Sequence, residues 1–380
     1  MKNYDYIFTG AGLSALMTVY QMVKSGKFAN KSILLIDENP KKTNDRTWSF
    51  WEQGKGDWDK IVFQKWNKAI FKNEKFERVM DLSPYQYKTI RGIDFYNKVF
   101  KRISKEQNVE FLSQKVIGYN ESSNGVVVQT DSENFSCSKL FNSIYNPELA
   151  KSQEKYPVLQ QHFIGWFIKS ETEIFNPNQA TFMDFSVEQR GNTRFMYVLP
   201  TSNTEALIEY TLFSKDLLPE TEYETEIKNY IQNLGITKYE ILEKERGSIP
   251  MTSYKFWKNN TQNIINIGSS GGWTKASTGY TFKNSDKKSK ELITFLQSET
   301  DFTKFHKTTK FWFYDLLLLD ILDRNNEKGS RIFSSMFKKG NPAIIFKFLD
   351  EETTFWEDLK VIWKCPKGLF MRALFRHIFK

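Results

Sequence analysis

"YDYIFTGAGLSALMTVYQMVKSGKFANKSILLID", residues 4–37, decides the architecture. An apolar run ends in a glycine-rich turn, a helical segment follows, and a second apolar run ends in Asp37. The pattern reads as strand, turn, helix, strand. "GAGLSA" fits G-x-G-x-x-G/A, with Gly10, Gly12 and Ala15 at the three small positions. Gly10 permits the tight turn, Gly12 lets a pyrophosphate approach the backbone at a helix N-terminus, and Ala15 allows close helix–strand packing. Short glycine patterns also arise by chance, in ordinary βαβ turns. Here the strand before, the helix after and an acid suited to ribose hydroxyls at Asp37 point to a dinucleotide site.

A second glycine cluster, "NIINIGSSGGWTKASTGYTF" at 263–282, reads as a strand, a turn of exposed amides and a helix start. A late element of this kind returns to the flavin in two-region flavoproteins, so FAD is expected rather than NAD. The apolar run of Ile264, Ile265 and Ile267 argues against a mere surface loop. The chain then divides into a discontinuous FAD-binding domain (1–150, with a return segment at 256–300), a β-rich substrate domain at 151–255 and a helical region at 301–380. Within the first part, "DFYNKVFKRISKE" reads as a helix opened by Asp94 as N-cap. Residues 108–145 read as short strands with a turn at "SSNG".

The strand "ALIEYTLFS" at 206–214 carries a carboxylate where both faces are apolar. Glu209 is therefore expected to be buried, and either paired or held at a raised pKa. It pairs as a hairpin with "RFMYVLP".

Composition bounds the function. Lys and Arg total 54 against 45 Asp and Glu, for a net charge of +9. That balance suits nucleic acid, an anionic membrane surface or simple solubility, and no concentrated basic block favours nucleic acid. Aromatic residues make up 16% of the chain, a surplus that a large apolar ligand would explain. Two cysteines and three histidines leave no basis for a metal centre. The start shows no signal-peptide pattern and no window has the length of a membrane span. A cytoplasmic protein, peripheral on the inner membrane surface, is expected.

"NDRTWSFW" (44–51), "LQQHFIGW" (159–166), "MDF" (183–185), "FMYVLP", "ALIEYT" and "GGWTKASTGY" occur in this order. Together they resemble the FAD-dependent lycopene cyclases, closest to the bacterial lycopene β-cyclase type. The resemblance implies an α/β fold with a Rossmann-like FAD-binding domain, akin to the aromatic-hydroxylase flavoproteins. It also implies non-redox closure of β-rings at the ψ-ends of lycopene, with reduced FAD required but not consumed and NAD(P)H as reductant. By the same resemblance Glu209 is the catalytic acid. The alternatives for it are the base of the final deprotonation and a structural salt bridge. One departure stands out: related flavoproteins carry Gly-Asp where this chain has Gly268-Ser269, leaving a hydroxyl at the flavin side.

Supporting roles follow with their alternatives. Arg46 and Arg91 are candidates for the pyrophosphate, or for surface salt bridges. Trp48, Trp51, Trp166 and Tyr197 are candidates to line a polyene tunnel and stabilise a cation by their ring faces, or to be core. Asp184 is a second catalytic carboxylate or a strand-end cap. His162 reads as a satisfied core histidine. "FLDEETTFWEDL" (348–359) reads as charges at the start of a solvated helix. In "GLFMRALFRHIFK" the cations Arg372, Arg376 and Lys380 form a stripe. Leu369, Phe370, Leu374, Phe375, Ile378 and Phe379 add an apolar surface, which docks on a membrane or packs on the domain. Two other functions remain open: an NAD(P)H-consuming monooxygenase or polyprenyl reductase, and a non-catalytic carotenoid- or lipid-binding protein.

Overall fold

The structure is a computed structural model and describes residues 1–123 and 125–378. Asn124 of the "SSNG" turn lies outside the described residues, as do Phe379 and Lys380 of the terminal stripe.

The opening stretch folds as its pattern dictates. Lys2–Thr9 is a strand, Leu13–Ser25 a helix, and Ile33–Ile36 a strand parallel to the first. The sheet runs Val109–Leu112, Ile33–Ile36, Lys2–Thr9, Asn134–Asn142, all parallel. Two strands share the far edge of Asn134–Asn142. Gly125–Thr130 pairs antiparallel with its beginning, and Ile264–Asn266 pairs parallel with residues 140–142. The second glycine turn is thereby carried back to the first. Helix Leu13–Ser25 also packs on helix Phe282–Phe295 through short side chains one turn apart. Ser14 meets Ser285 at 2.7 Å and Thr18 meets Ser289 at 3.0 Å, with all four residues buried. Small residues at these points let the helices approach closely.

A second seven-stranded sheet runs Tyr239–Thr252, Val158–Ser170, Glu205–Ser214, Thr193–Pro200, Gln179–Asp184, Lys68–Asn73, Phe76–Asp81. Its last two strands come from before residue 150, so the sheet does not follow the sequence-based division there. One face is covered by helix Glu220–Asn233, whose Tyr223, Ile227, Tyr230 and Ile231 form an apolar stripe. Sequence reading placed that stretch in the β-rich region at 151–255 and named no helix in it. The charge-dense "ETEYETEIKNYIQN" masks the stripe. The other face meets Phe333, Phe337 and Phe346 of the helical region. A small sheet of Thr47–Gln53, Tyr85–Arg91 and Gln64–Trp66 shares its side chains between two cores: Trp48, Phe50 and Ile90 pack with the first sheet, and Trp51, Trp66 and Tyr87 with the second.

Three local expectations change. Helix Gly92–Ile103 begins after Arg91, so Asp94 lies inside its first turn rather than at the N-cap. Thr354 and Glu357 form a capping box on helix Phe355–Ile362, but Asp358 is fully buried, 2.5 Å from the Lys310 ammonium. That helix is solvated on one side only. In helix Lys367–Ile378, Arg376 is bound to Asp320, while Leu369, Phe370, Ala373 and Leu374 pack against helix Lys310–Arg324 and its neighbours. Packing takes up much of the terminal apolar surface. Among the described residues no helix is long and apolar enough to cross a membrane.

Candidate active site

Four adjacent strands of the second sheet build one wall. Gly165 is the register partner of Glu245 on one side and of Glu209 on the other, and Glu209 is in turn paired with Tyr197. Residues in register across a sheet point to the same face, so Glu245, Glu209 and Tyr197 project together. Gly165 contributes no side chain between the two acids. The wall bounds a cavity of about 430 Å3 that is closed by Arg46, Trp48, Tyr87, Phe163, Tyr280 and Ser269, among others. That volume falls in the range of ligand sites, about 300–1,000 Å3.

Electrostatics in the cavity are dominated by desolvation. Burial, with the neighbouring Glu245 charge, pushes the Glu209 carboxyl up to about 8. The Thr211 hydroxyl donates to its Oε1 and opposes this only in part. Burial pushes Glu245 up to about 7, with Glu243 adding to the rise and Arg46 opposing it. Burial also raises the phenols of Tyr87, Tyr197 and Tyr280, and the hydroxyls of Tyr87 and Tyr280 lie 3.1 Å apart. Near neutral pH the wall therefore holds Glu209 in its neutral form, while Glu245 can carry charge.

The second glycine turn reaches the cavity at Ser269, and the first turn adjoins the second. Gly10 has φ +83° and Gly268 φ +61°, a region in which glycine alone is unstrained. A side chain on Gly268 would strike Ser14 on the first helix, so the two turns meet here. A Cβ on Gly12 would meet nothing within 4 Å, and no side chain caps the helix that begins there. Open space before uncapped backbone amides suits a pyrophosphate. Four buried polar atoms on the cavity wall also lack partners: Thr47 Oγ1, Gln161 Oε1, Glu245 Oε2 and Thr278 Oγ1. Buried polar atoms without partners are uncommon, and a polar-edged ligand such as a flavin ring would satisfy several. The residues present fit FAD.

The sequence-predicted residues fall into two groups. Glu209, Tyr197, Trp48, Arg46 and Ser269 line the one cavity, with Gly268 adjoining Ser269. Gly10, Gly12 and the fully buried Ala15 form the first glycine turn and the helix start behind it. Asp37 closes that turn by accepting from the Ala11 amide at 2.6 Å, and it also binds the Asn39 amide and Lys41. These donors occupy three of its roughly four acceptor positions and leave room for a hydroxyl.

The remaining candidates lie elsewhere. Asp184 is turned to the opposite face, where it accepts from the Tyr230 hydroxyl and, as a strand-end cap, from the Ser186 amide, both at 2.8 Å. Trp166 is core beneath helix Glu220–Asn233, because its register partner is Ile208 and not Glu209. Trp51 stacks on Phe346 at 4.8 Å and touches the cavity only through Tyr280. Arg91 pairs with Glu243 at 3.3 Å and lies over the Phe63 ring, which is the salt-bridge alternative. His162 is satisfied in the core by Ser214 and Tyr223.

Sequence reading missed Glu245, Gly165, Tyr87 and Tyr280. Glu245 sits in "EKERGSIP", where exposed Lys244 and Arg246 on either side make the strand look solvated. Its only local signal is the period of two, and strand register does the rest.

Comparison with known proteins agrees with this geometry. A family model described as "Lycopene cyclase protein" matches residues 5–376. A lycopene beta-cyclase from Pantoea ananas is 24% identical over 290 residues, 73% of this chain and 71% of that protein. Among solved structures, a flavoprotein/dehydrogenase from Cytophaga hutchinsonii superposes with a TM-score of 0.65 at 12% identity, covering 99% of this chain and 100% of that one. A p-nitrophenol 4-monooxygenase from Pseudomonas putida gives 0.59 at 12%, covering 98% of each. At such identity these likenesses speak for the fold, which is the α/β flavoprotein fold with a helical C-terminal region. With the family match running from the first strand to the last helix, the chain belongs to the lycopene cyclase family.

Proposed function

We propose that this protein closes β-rings at the ψ-ends of lycopene or a close relative, without net oxidation or reduction. The observation that carries the reading is Glu209, a carboxyl that burial keeps protonated near neutral pH on the wall of an aromatic cavity. An alkene is a very weak base, so its protonation needs a neutral acid, aligned and away from water. Glu209 would give its proton to the terminal double bond. The adjacent double bond attacks the resulting tertiary cation, and a ring proton is then lost. Tyr197, Tyr87, Trp48 and Phe163 line the cavity, and aromatic rings there would stabilise the cation and exclude water that would trap it.

Gly10, Gly12 and the start of helix Leu13–Ser25 would hold the FAD pyrophosphate, Asp37 a ribose hydroxyl, and Arg46, Gly268 and Ser269 the flavin end. Reduced FAD would supply negative charge beside the cation in a dry site. NAD(P)H is the proposed reductant, used to prime the enzyme rather than once per turnover.

Ring closure conserves mass, which gives the test. Purified protein with reduced FAD is given lycopene in deuterated water without oxygen. A product of lycopene's composition that carries deuterium in the ring, with NAD(P)H use that does not scale with turnover, supports the reading. One NAD(P)H per turnover, or a product heavier by oxygen or hydrogen, favours a monooxygenase or reductase instead.

Membrane association belongs to the same proposal, because the substrate is insoluble in water. Its support is the exposed face of Phe355, Trp356, Leu359 and Trp363, flanked by exposed Lys360, Lys364, Lys367 and Arg372. Tryptophan beside lysine suits the interface of an anionic bilayer on the cytoplasmic side. Trp356→Ser with Trp363→Ser is expected to weaken sedimentation with anionic vesicles several-fold. Unchanged sedimentation would remove this surface from the proposal.

A further inference from the structure

We infer that Glu245 is a second catalytic residue of this cavity, the base that takes the ring proton after Glu209 has delivered one. The inference rests on the cyclisation reading above and assigns the two proton transfers to two different carboxyls.

Three observations carry it. Glu209 and Glu245 flank the same residue, Gly165, and face the same side. Because Gly165 has no side chain, the two acids close in over it: a Cβ there would stand 3.5 Å from the Glu209 Cβ and 3.3 Å from the Glu245 Cγ, and both acids line the cavity. One ring of substrate against this wall would therefore lie within reach of both. Second, the acids differ in their partners. Glu209 Oε1 accepts from Thr211, while Glu245 lies beside Thr47 and its Oε2, buried on the cavity wall, makes no well-formed hydrogen bond, which leaves lone-pair capacity of the kind a base requires. Third, their surroundings separate them. Thr47 and, more weakly, Arg46 favour the ionised form of Glu245, whereas no cation counts among the influences on Glu209, and the Glu245 charge itself holds the proton on Glu209. Two carboxyls driven apart in this way make an acid–base pair. Glu243 disfavours ionisation of Glu245, and Arg246 is the other charged side chain on this stretch of wall.

The steps balance. Glu209 starts neutral and Glu245 ionised. Glu209 transfers a proton to the terminal alkene carbon, and the electron pair of the next double bond forms the ring bond. Positive charge moves to the ring carbon, and Glu245 takes the adjacent proton, leaving its electron pair as the ring double bond. The pair ends with the proton on Glu245 and the charge on Glu209. One proton passed back between them restores the start, and no electrons are gained or lost. Which ring proton Glu245 reaches decides where the double bond falls, so Glu245 also controls ring type.

The test uses the full chain with bound reduced FAD and lycopene, comparing parent, Glu245→Gln and Glu245→Asp. Rate, pH–rate profile and ring isomers are measured beside flavin content and melting temperature. Glu245→Gln is expected to slow ring formation by about 100-fold or more, with flavin retained. Its profile loses the low-pH limb that reports ionisation of the base, and residual product spreads over isomers with displaced double bonds. Glu245→Asp restores part of the rate and the limb. A Gln variant with the parent's limb and isomers overturns the inference, whatever its rate. Should that variant lose flavin or melt early, the Asp variant decides by the same two readouts. If the parent itself forms no rings, the cyclisation reading has failed. If the parent forms rings and both variants match it in limb and isomers, only the role of Glu245 has failed.

Discussion

Glu209 and Gly165 are register partners on adjacent strands, and the missing side chain at 165 is what lets the two glutamates close in over the strand between them. A methyl at 165 would stand 2.9 Å from Leu207 Cδ1, 3.3 Å from the Glu245 Cγ and 3.5 Å from the Glu209 Cβ, so it would press on the side chains of both acids. Gly165→Ala is therefore expected to cost about 1–3 kcal/mol of stability by overpacking and to lower ring formation about tenfold or more by misaligning the acids. Thermal melting and pigment formation in a lycopene-accumulating bacterium check the two halves. A parent-like rate would mean that the placement of the two acids does not govern the chemistry.

Glu209→Gln keeps shape but cannot deliver a proton to carbon, so ring formation is expected to fall below detection with flavin content unchanged. The same variant tests burial by itself. The folded-state pKa is raised from 4.5 to about 8, so the folded protein retains a proton that the unfolded chain releases from about pH 4.5 upward. The contribution of this group is fully present below pH 4.5 and is lost as pH rises through about 8. Glu209→Gln is thus expected to stabilise by about 1–3 kcal/mol at pH 8.5 and less at pH 5. Melting curves at the two pH values give the sign, and an equal effect at both would argue that the carboxyl is ionised in the folded state.

Gly12 faces open space in front of an uncapped helix start. Gly12→Asp places a side chain and a like charge where the pyrophosphate would lie, so FAD is expected to be lost while the fold persists. Flavin absorbance after gel filtration, beside circular dichroism, checks it. Full flavin content would move the cofactor elsewhere.

Trp166 and Asp184 serve as controls, because both lie on the face away from Glu209. Trp166→Phe is expected to cost about 1–2 kcal/mol of stability and Asp184→Asn to weaken the strand-end cap, with ring formation per folded molecule unchanged in both. Trp48→Leu, on the cavity wall, is expected to lower the rate with less effect on stability. A rate loss at Trp166 as large as at Trp48 would contradict the division of faces.

Local pattern was enough for the dinucleotide turn, because strand, glycine and helix signals lie within 34 consecutive residues (4–37) and each acts on its neighbours. It was also enough for Glu209, since a carboxylate in a strand apolar on both faces has nowhere to be solvated. Family resemblance added the role of that acid and the order of the remaining motifs. What the chain alone could not yield is which aromatic residues share the acid's side. Trp166 and Glu209 lie on neighbouring strands with similar apolar surroundings, and a one-residue difference in register sends them to opposite faces. The same register decides between the two roles read for Asp184 and leaves it the strand-end cap on the opposite face, and Glu245 was hidden because its charged neighbours dominate the local pattern. Pairing among strands more than forty residues apart brings Glu245 to Gly165 and Glu209. That register is decided by hydrogen bonding and burial across the whole sheet, which no single segment carries.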